Sequence, residues 1–263
     1  PWIAGDPYRT SYTTNIFRRR SISTIFEGNN QNINTFDPNN ITDTNQQVTP
    51  RITRLGGGIN FTRPLSANPF KNSEWLASAG LQYQRVSGRD ADGNLRKEGA
   101  IFDGSGKIIS DKIPLTVSPS GEDDLLLLRL GIQRDLRNNP VQPTKGSFLS
   151  FGIDQSVPIG TGSVFMTRLR GNYSQYLPIK LISFSKKSET LAFNLQGGTI
   201  LGDVPPYEAF TLGGSNSVRG YDEGRLGTGS RYLQAAVEYR FPVFSVVSLS
   251  LIHISEPTRQ AEI

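Results

Sequence analysis

The chain of 263 residues has no cysteine, one histidine and one methionine. Without cysteine there can be no disulfide framework, thiol nucleophile or Cys-based zinc site. The single histidine, His253, lies in Leu249–Ile263 (LSLIHISEPTRQAEI). That stretch reads as the conceptual translation of a sequencing adapter and its index, not as native chain, and is set aside from fold reasoning. What is left contains no histidine, which also excludes Ser-His-Asp triads. Long hydrophobic runs are missing too. The longest aliphatic run is Leu125-Leu126-Leu127-Leu128, far short of the ~20 apolar residues a membrane-spanning helix needs. Gly213-Gly214 and Gly224-x-x-Gly227-x-Gly229 are not phosphate cradles, because no helical pattern follows them. There are no paired carboxylates at helical spacing. These absences point away from an enzyme and away from any cofactor.

Charge excludes a further class. The formal net charge is +5, but the basic residues are spread along the chain, and the only dense run is Arg18-Arg19-Arg20. A nucleic-acid partner is not expected from that pattern. The mean hydropathy of −0.36 would suit a soluble protein. It suits a membrane barrel equally well, since such a barrel faces lipid with only every second residue.

Period-two alternation is the dominant signal that is present. Tyr8, Thr10, Tyr12, Thr14 and Ile16 share one face of a first strand. Leu55, Gly57, Ile59 and Phe61 oppose Arg54, Gly56, Gly58 and Asn60. Trp75, Ala77, Ala79, Leu81 and Tyr83 oppose Ser78, Gly80, Gln82 and Gln84. Leu126, Leu128, Leu130 and Ile132 oppose Arg129, Gln133 and Asp135. Leu149, Phe151 and Ile153 alternate with Ser150, Gly152 and Asp154. Leu169, Tyr173 and Leu177 alternate with Arg168, Arg170, Asn172 and Ser174. Leu191, Phe193 and Leu195 oppose Thr190, Asn194 and Gln196. Leu233, Val237, Tyr239 and Phe241 oppose Gln234, Glu238 and Arg240. That makes about eight strands, each near the ~9–11 residues of a tilted membrane strand.

The connections separate a membrane barrel from a soluble sandwich. Long segments (roughly 27–50, 88–122 and 202–229) follow the first, third and seventh strands. Short ones with turn chemistry, such as Asn138-Asn139-Pro140, follow the second, fourth and sixth. Long outer loops alternating with short inner turns is the outer-membrane pattern. The fifth connection, Pro158–Gly162, is short where that rule predicts a long loop. Aromatics near strand ends (Trp75, Tyr83, Tyr173, Tyr176, Tyr239, Phe241) fit interfacial girdles. The polar segments 29–47 and 89–121 read as solvated surface, with Asp90-Ala91-Asp92-Gly93-Asn94 as a turn, not an EF-hand loop, because no glutamate stands at the required spacing.

The third long segment carries the candidate functional residues: Gly213 and Gly214, then Val218-Arg219-Gly220-Tyr221. The glycines permit tight bends and close approach. If this loop turns back into a barrel, Arg219 needs a carboxylate once it leaves bulk water. Parity puts Glu238 on the face opposite the apolar row, so it is the proposed bidentate partner. On the residues alone, a solvent-facing arginine beside an unrelated luminal glutamate explains the same string.

The Val218-Arg219-Gly220-Tyr221 element within segment 205–229, followed by Ala236-Val237-Glu238-Tyr239, resembles the inward-folding loop and following strand of the BamA-type outer-membrane insertases. Their translocation relatives, including the chloroplast import channel, share it, and the likeness is strongest to the cyanobacterial branch. It extends across residues 1–248, including the opening Pro1-Trp2-Ile3-Ala4-Gly5-Asp6-Pro7. The resemblance implies an all-β fold: an antiparallel transmembrane β-barrel, here partial, with about eight strands of sixteen (five to twelve). It places the arginine against acidic residues on the strands after the loop. A second such strand, carrying an Asp-x-Gly element, would begin after Ser248. It implies an outer-membrane protein of Gram-negative type that inserts β-barrel proteins into the membrane or translocates polypeptides across it. POTRA repeats would precede the barrel. Outer-membrane lipids, unfolded clients or transported polypeptides, and accessory assembly subunits would be its partners. A two-partner secretion pore is the alternative, since those transporters share the loop. A general porin would not need it.

Overall fold

The computed structural model describes residues 3–22, 25–27, 31–33, 51–66, 73–90, 92–102, 108–160, 162–181, 189–214, 217–218, 220–221 and 226–241. Segment 249–263 lies outside them. The described residues form strands and turns only: β1 (Ser11–Ile22), β2 (Ile25–Glu27), β3 (Gln31–Ile33), β4 (Arg51–Pro64), β5 (Trp75–Arg89), β6 (Glu98–Phe102), β7 (Ile108–Pro114), β8 (Glu122–Asp135), β9 (Gly146–Pro158), β10 (Met166–Ile179), β11 (Glu189–Gly202), β12 (Phe210–Leu212), β13 (Gly227–Gly229) and β14 (Arg231–Arg240). Eight of them make one antiparallel sheet in the order β1-β4-β5-β8-β9-β10-β11-β14, so every long strand pairs with its neighbour in sequence. The short strands pair off as β2–β3, β6–β7 and β12–β13, each within one of the long connections.

Residues opposite one another across an antiparallel ladder share a face, so the register sorts the side chains. Leu81 faces Ile59 and Leu128, and Ile132 faces Phe151. Tyr173 faces Leu149 and Leu195. These residues and their alternates form one continuous apolar face that none of the described residues covers: Leu55, Leu81, Leu128, Leu130, Phe151, Leu195, Leu233 and Val237 are all exposed, and Ile16 is 93 % exposed. An uncovered apolar surface of this extent has no place in water and suits lipid. Its depth agrees. On β8 the apolar positions run between Asp124 and Arg134, about nine residues. At ~3.3 Å per residue and a ~45° tilt they span roughly 21 Å, near the apolar band of outer-membrane barrels.

The opposite face is polar in its lower part and packed above. Asn194 Nδ2 donates to Asn172 Oδ1 (2.8 Å) and Ser174 Oγ (2.9 Å). The carboxylate of Asp154, almost fully buried, takes Arg170 at 2.6 Å and Arg129 at 3.4 Å. Towards the end of the sheet that carries the long connections, Ile52, Val86, Leu125, Leu127, Met166 and Ile200 form a core on this inner face, with Ile113, Leu115, Val164 and Tyr207 packed onto it from the connections.

Three expectations change. Tyr8 and Thr10 precede the first strand. The Asp6 carboxylate accepts hydrogen bonds from their two amides and Arg9 sits at φ 54°, so the chain turns before β1 begins. Hydrogen bonds, the Thr10 side chain's first among them, hold that carboxyl below the usual carboxylate range. Segment 89–121 is not solvated throughout. It contains the β6–β7 hairpin, and Ala100, Ile113, Leu115, Thr116 and Ser118 are buried, because its last stretch folds over the sheet: the amide of Leu115 donates to Lys97 O, and its side chain fills space beside Gly88. The Asp90 carboxylate caps the Asn94 amide at 2.8 Å and the Gly93 amide donates to Asp90 O at 3.2 Å, closing a turn as expected. Tyr176 is not a girdle residue. Register places it opposite Ala192 on the inner face, with the Arg240 guanidinium 5.7 Å from its ring.

Candidate functional site: the connection between β11 and β14

After β11 the chain leaves Gly202 in a left-handed conformation (φ +86°) and Asp203 clamps it, with Asp203 N donating to Phe165 O and Phe165 N donating to the Asp203 carboxylate. A turn closed by Glu208 N to Pro205 O (2.9 Å) then drives Tyr207 and Glu208 into the inner face. Both are buried.

Glu208 is the anchor. Arg54 of β4 donates through Nη2 to Glu208 Oε1 (3.2 Å) and to the Tyr207 carbonyl (2.8 Å). Arg168 of β10 donates through Nη2 to the other carboxylate oxygen and to the Glu208 carbonyl (2.6 Å). Gln84 of β5 adds a longer contact at 3.4 Å. One carboxylate is thus shared between two guanidiniums from strands four places apart in the sheet. Flat, those strands would lie about 19 Å apart at ~4.8 Å per spacing. The sheet therefore curls around the loop, and the loop lies on its concave side. A carboxylate this enclosed is tolerated because every oxygen is met by a charged donor.

Tyr207 adds a second tie. Its hydroxyl donates to Asp123 Oδ2 at 2.7 Å, and the amides of Val117 and Ser118 donate to the same carboxylate. The third long connection and segment 115–118 are thus pinned to one point on β8. Burial, and then the neighbouring Asp123 charge, push the Tyr207 phenol well above its ordinary value, so it remains a donor at any working pH. Phe210 makes the third tie. Its ring lies 4.7 Å from that of Tyr232, with the Arg168 guanidinium 5.7 Å away. It occupies the space left by Gly198, where a Cβ would meet Phe210 Cζ at 2.7 Å and Leu169 O at 2.9 Å. Gly198→Ala in the full-length protein is expected to unseat the Phe210 ring without disturbing the sheet register. That should cost about 1–3 kcal/mol as overpacking, read as a lowered unfolding temperature with unchanged strand content by circular dichroism.

Past Phe210 the connection forms the β12–β13 hairpin. Gly213 and Gly214 adopt φ +122° and +84°, the left-handed region that favours glycine, and Gly220 adopts +90°. Ser217 is held twice: its Oγ accepts from Gly213 N (3.1 Å), and its carbonyl accepts from Gln234 Nε2 of β14 (2.9 Å). The Gly214 amide donates to Tyr221 O at 2.8 Å, closing the tip. A cavity of about 460 Å³, lined by Arg54, Arg168, Arg170, Glu208, Gln196 and Gln234 among others, lies between loop and wall.

A loop of this kind on the inner wall of a lipid-facing antiparallel sheet narrows the relatives, and comparison decides. The model of the Omp85 superfamily domain matches residues 1–252. The chain belongs to the Omp85 superfamily. It is similar to outer envelope protein 80, chloroplastic, of Arabidopsis thaliana (29% identity, 92% of this chain and 28% of the relative) and to protein TOC75-3, chloroplastic, of the same plant (29% identity, 92% and 28%). It thus spans less than a third of the length of these relatives. Among solved structures, BamA from Haemophilus ducreyi lacking POTRA domains 1–3 matches 91% of this chain and 44% of its own, with a TM-score of 0.55 and 16% identity. That shows the fold, an all-β, antiparallel barrel wall of the BamA type; the Arabidopsis relatives tie the chain to the chloroplast Toc family members.

Within this Omp85 loop the expected residues fall as follows. Val218 is half-buried, and Gly220 and Tyr221 are exposed. Arg219 lies outside the described residues, and so therefore does its pairing. Glu238 is exposed and on the inner face by register, opposite Ala192, and it accepts from Arg240 Nη2 at 2.8 Å. The structure brings Ser217 onto Gln234, two inward-facing positions along β14 from Glu238. Sequence reasoning missed Glu208, Tyr207, Arg54, Arg168 and Asp123. The available signal was the pair of inward-parity arginines, Arg54 and Arg168. In a loop expected to enter the barrel they call for a carboxylate just as Arg219 does.

Proposed function

We propose that this chain forms part of the wall and the inward loop of an outer-membrane assembly factor that inserts β-barrel proteins into the outer membrane or moves polypeptides across it. The observation that carries the reading is the tie of Glu208 to Arg54 and Arg168: it clamps the β11–β14 connection against the inner wall of a lipid-facing sheet. The family match and the names of the similar proteins, chloroplast envelope proteins and BamA, support the membrane and the class of activity. In this reading no bond-making chemistry is involved. A fixed loop keeps the wall in one shape while a client strand pairs elsewhere on the sheet, driven by unsatisfied strand edges. Cyanobacterial origin, accessory subunits, residues 1–248 as the native barrel portion with 249–263 as adapter, and the Arg219–Glu238 pair belong to the same proposal.

The test uses the full-length protein in liposomes, with an unfolded outer-membrane barrel as client. Wild type is expected to speed client assembly. Arg219→Ala should slow it about tenfold, as for loss of a charge-assisted pair, and Glu238→Gln should slow it similarly, with the double variant no worse than either alone. Additive losses would sink the pairing. Release of a soluble polypeptide into the liposome exterior, without client assembly, would make the protein a two-partner secretion pore. Sequencing the intact gene supplies a second discriminator: several POTRA repeats favour assembly or import, and one or two behind a plug helix favour secretion.

A further inference from the structure

The outward face ends in charge at the rim nearer the long connections, and that charge is uneven. Towards β8 it is neutralised: Arg85 is bidentate on Asp124 (2.8 and 3.2 Å), and Arg89 reaches Glu122 at 3.6 Å. Towards β1 it is not. Register sets Arg18 opposite Leu55 and Arg20 opposite Thr53, both outward. Among the described residues neither of these arginines has an acidic partner.

A cleft of about 450 Å³ opens at this point, lined by Arg18, Arg20, Thr53, Arg89, Asp92 and Gly93. Two features suggest a built site. Thr53 is 8% exposed, and its hydroxyl is enclosed with no hydrogen-bond partner among the described residues, a standing cost that an incoming oxygen would relieve. Gly93 stands at φ +96°, in the left-handed region that favours glycine, and the Arg20 guanidinium lies against it, Nη2 2.6 Å from the place a Cβ would take. The Arg89 guanidinium holds that turn in place by donating to Gly93 O at 2.9 Å. Arg18 and Arg20, with Arg89 beside them already shared with Glu122, stand against the single carboxylate of Asp92 in the cleft. Two such guanidinium forks, unpaired among the described residues, suit a tetrahedral oxyanion, which they bind in bidentate fashion. The height of the cleft selects the source. It opens where the apolar rows stop, at the level of lipid headgroups, and its neighbours below are the side chains that meet acyl chains.

We propose that this cleft seats the phosphate- or sulfate-bearing headgroup of a lipid in the leaflet facing the long connections, with Arg18 and Arg20 gripping the oxyanion and Thr53 Oγ1 donating to it. The proposal rests on the outward face meeting lipid, and the experiment separates the two. Full-length protein in detergent is incubated with lipid A or with uncharged digalactosyl diacylglycerol, and bound lipid is counted by native mass spectrometry. Wild type is expected to retain lipid A preferentially. Arg18→Ala with Arg20→Ala should retain it about tenfold less, near the effect expected for losing basic residues at a headgroup surface. The double Lys variant should fall between, Thr53→Val should lose about threefold, and Arg63→Ala at the opposite rim should match wild type. Equal lipid A retention by wild type and the double Ala variant, each still folded by heat-modified gel mobility, would overturn the proposal. So would displacement of lipid A by millimolar inorganic phosphate, which would mark a free-anion site. Either result, with galactolipid still bound, leaves the lipid-facing wall standing. Absence of both lipids would instead remove the wall reading itself.

Discussion

Replacing Glu208 by Ala in the full-length protein is expected to release the β11–β14 connection from the barrel wall and to cost about 3 kcal/mol or more. Arg54 and Arg168 have side chains 19% and 14% exposed, so both would be left as largely desolvated cations facing one another. Breaking a buried pair by removing one partner costs ~3–5 kcal/mol, and some water entering from the adjoining cavity discounts that figure. Arg54→Ala and Arg168→Ala should each cost less, since the carboxylate keeps its other guanidinium. The three-way cycle should be strongly non-additive, because one carboxylate serves both. The measurement is twofold: the unfolding temperature, and the rate at which a protease cuts within residues 203–230. Unchanged cutting of the Glu208→Ala protein would mean that Tyr207 on Asp123 and Phe210 in the Gly198 slot hold the loop without the ion pair.

That outcome bears on how the site is read from a sequence. The faces of the strands were legible because a period of two is a local property: Leu128 and Leu130 stand opposite Arg129 whatever surrounds them. The long connection and its glycines were legible too, since positive φ at Gly213 and Gly214 is a local demand. Glu208 was not. It and Arg54 are 154 residues apart, and the Arg54 and Arg168 strands have three strands between them. What joins them is the curvature of the whole sheet, which no window of sequence contains. Gly198 is similar: its smallness answers a ring delivered from another segment. Tyr176 is a different case. It is three residues from Tyr173, and strand alternation already puts two such residues on opposite faces. Counting aromatics near strand ends without their parity was the error. Segment 89–121 hides its contribution differently: a composition rich in polar residues masks the apolar positions Ile113 and Leu115 that cover the inner core.

The second large effect concerns which face meets what. Leu130 lies mid-way along the apolar run of β8, outward and exposed, between Ala79 of β5 and Ile153 of β9. An arginine there, near the middle of the bilayer, is expected to cost about 2–4 kcal/mol of folding free energy. Gln133 stands on the other face, opposite Leu76 and Ser150, in a lumen already lined by Arg129, Asp154 and Arg170. An arginine at 133 should cost under ~1 kcal/mol, since it meets water and polar neighbours. A water-soluble sheet whose core is its concave face demands the reverse order. There the leucine row would meet water and the concave face would be dry, so Leu130→Arg would be the mild change and Gln133→Arg the severe one. Equilibrium unfolding of the two full-length variants in lipid vesicles reads the difference directly. The sign of that difference depends on the solvent of each face and not on any partner or activity. A larger loss at 133 than at 130 would therefore overturn the membrane assignment on which the loop, the latch at Glu208 and the headgroup cleft all depend.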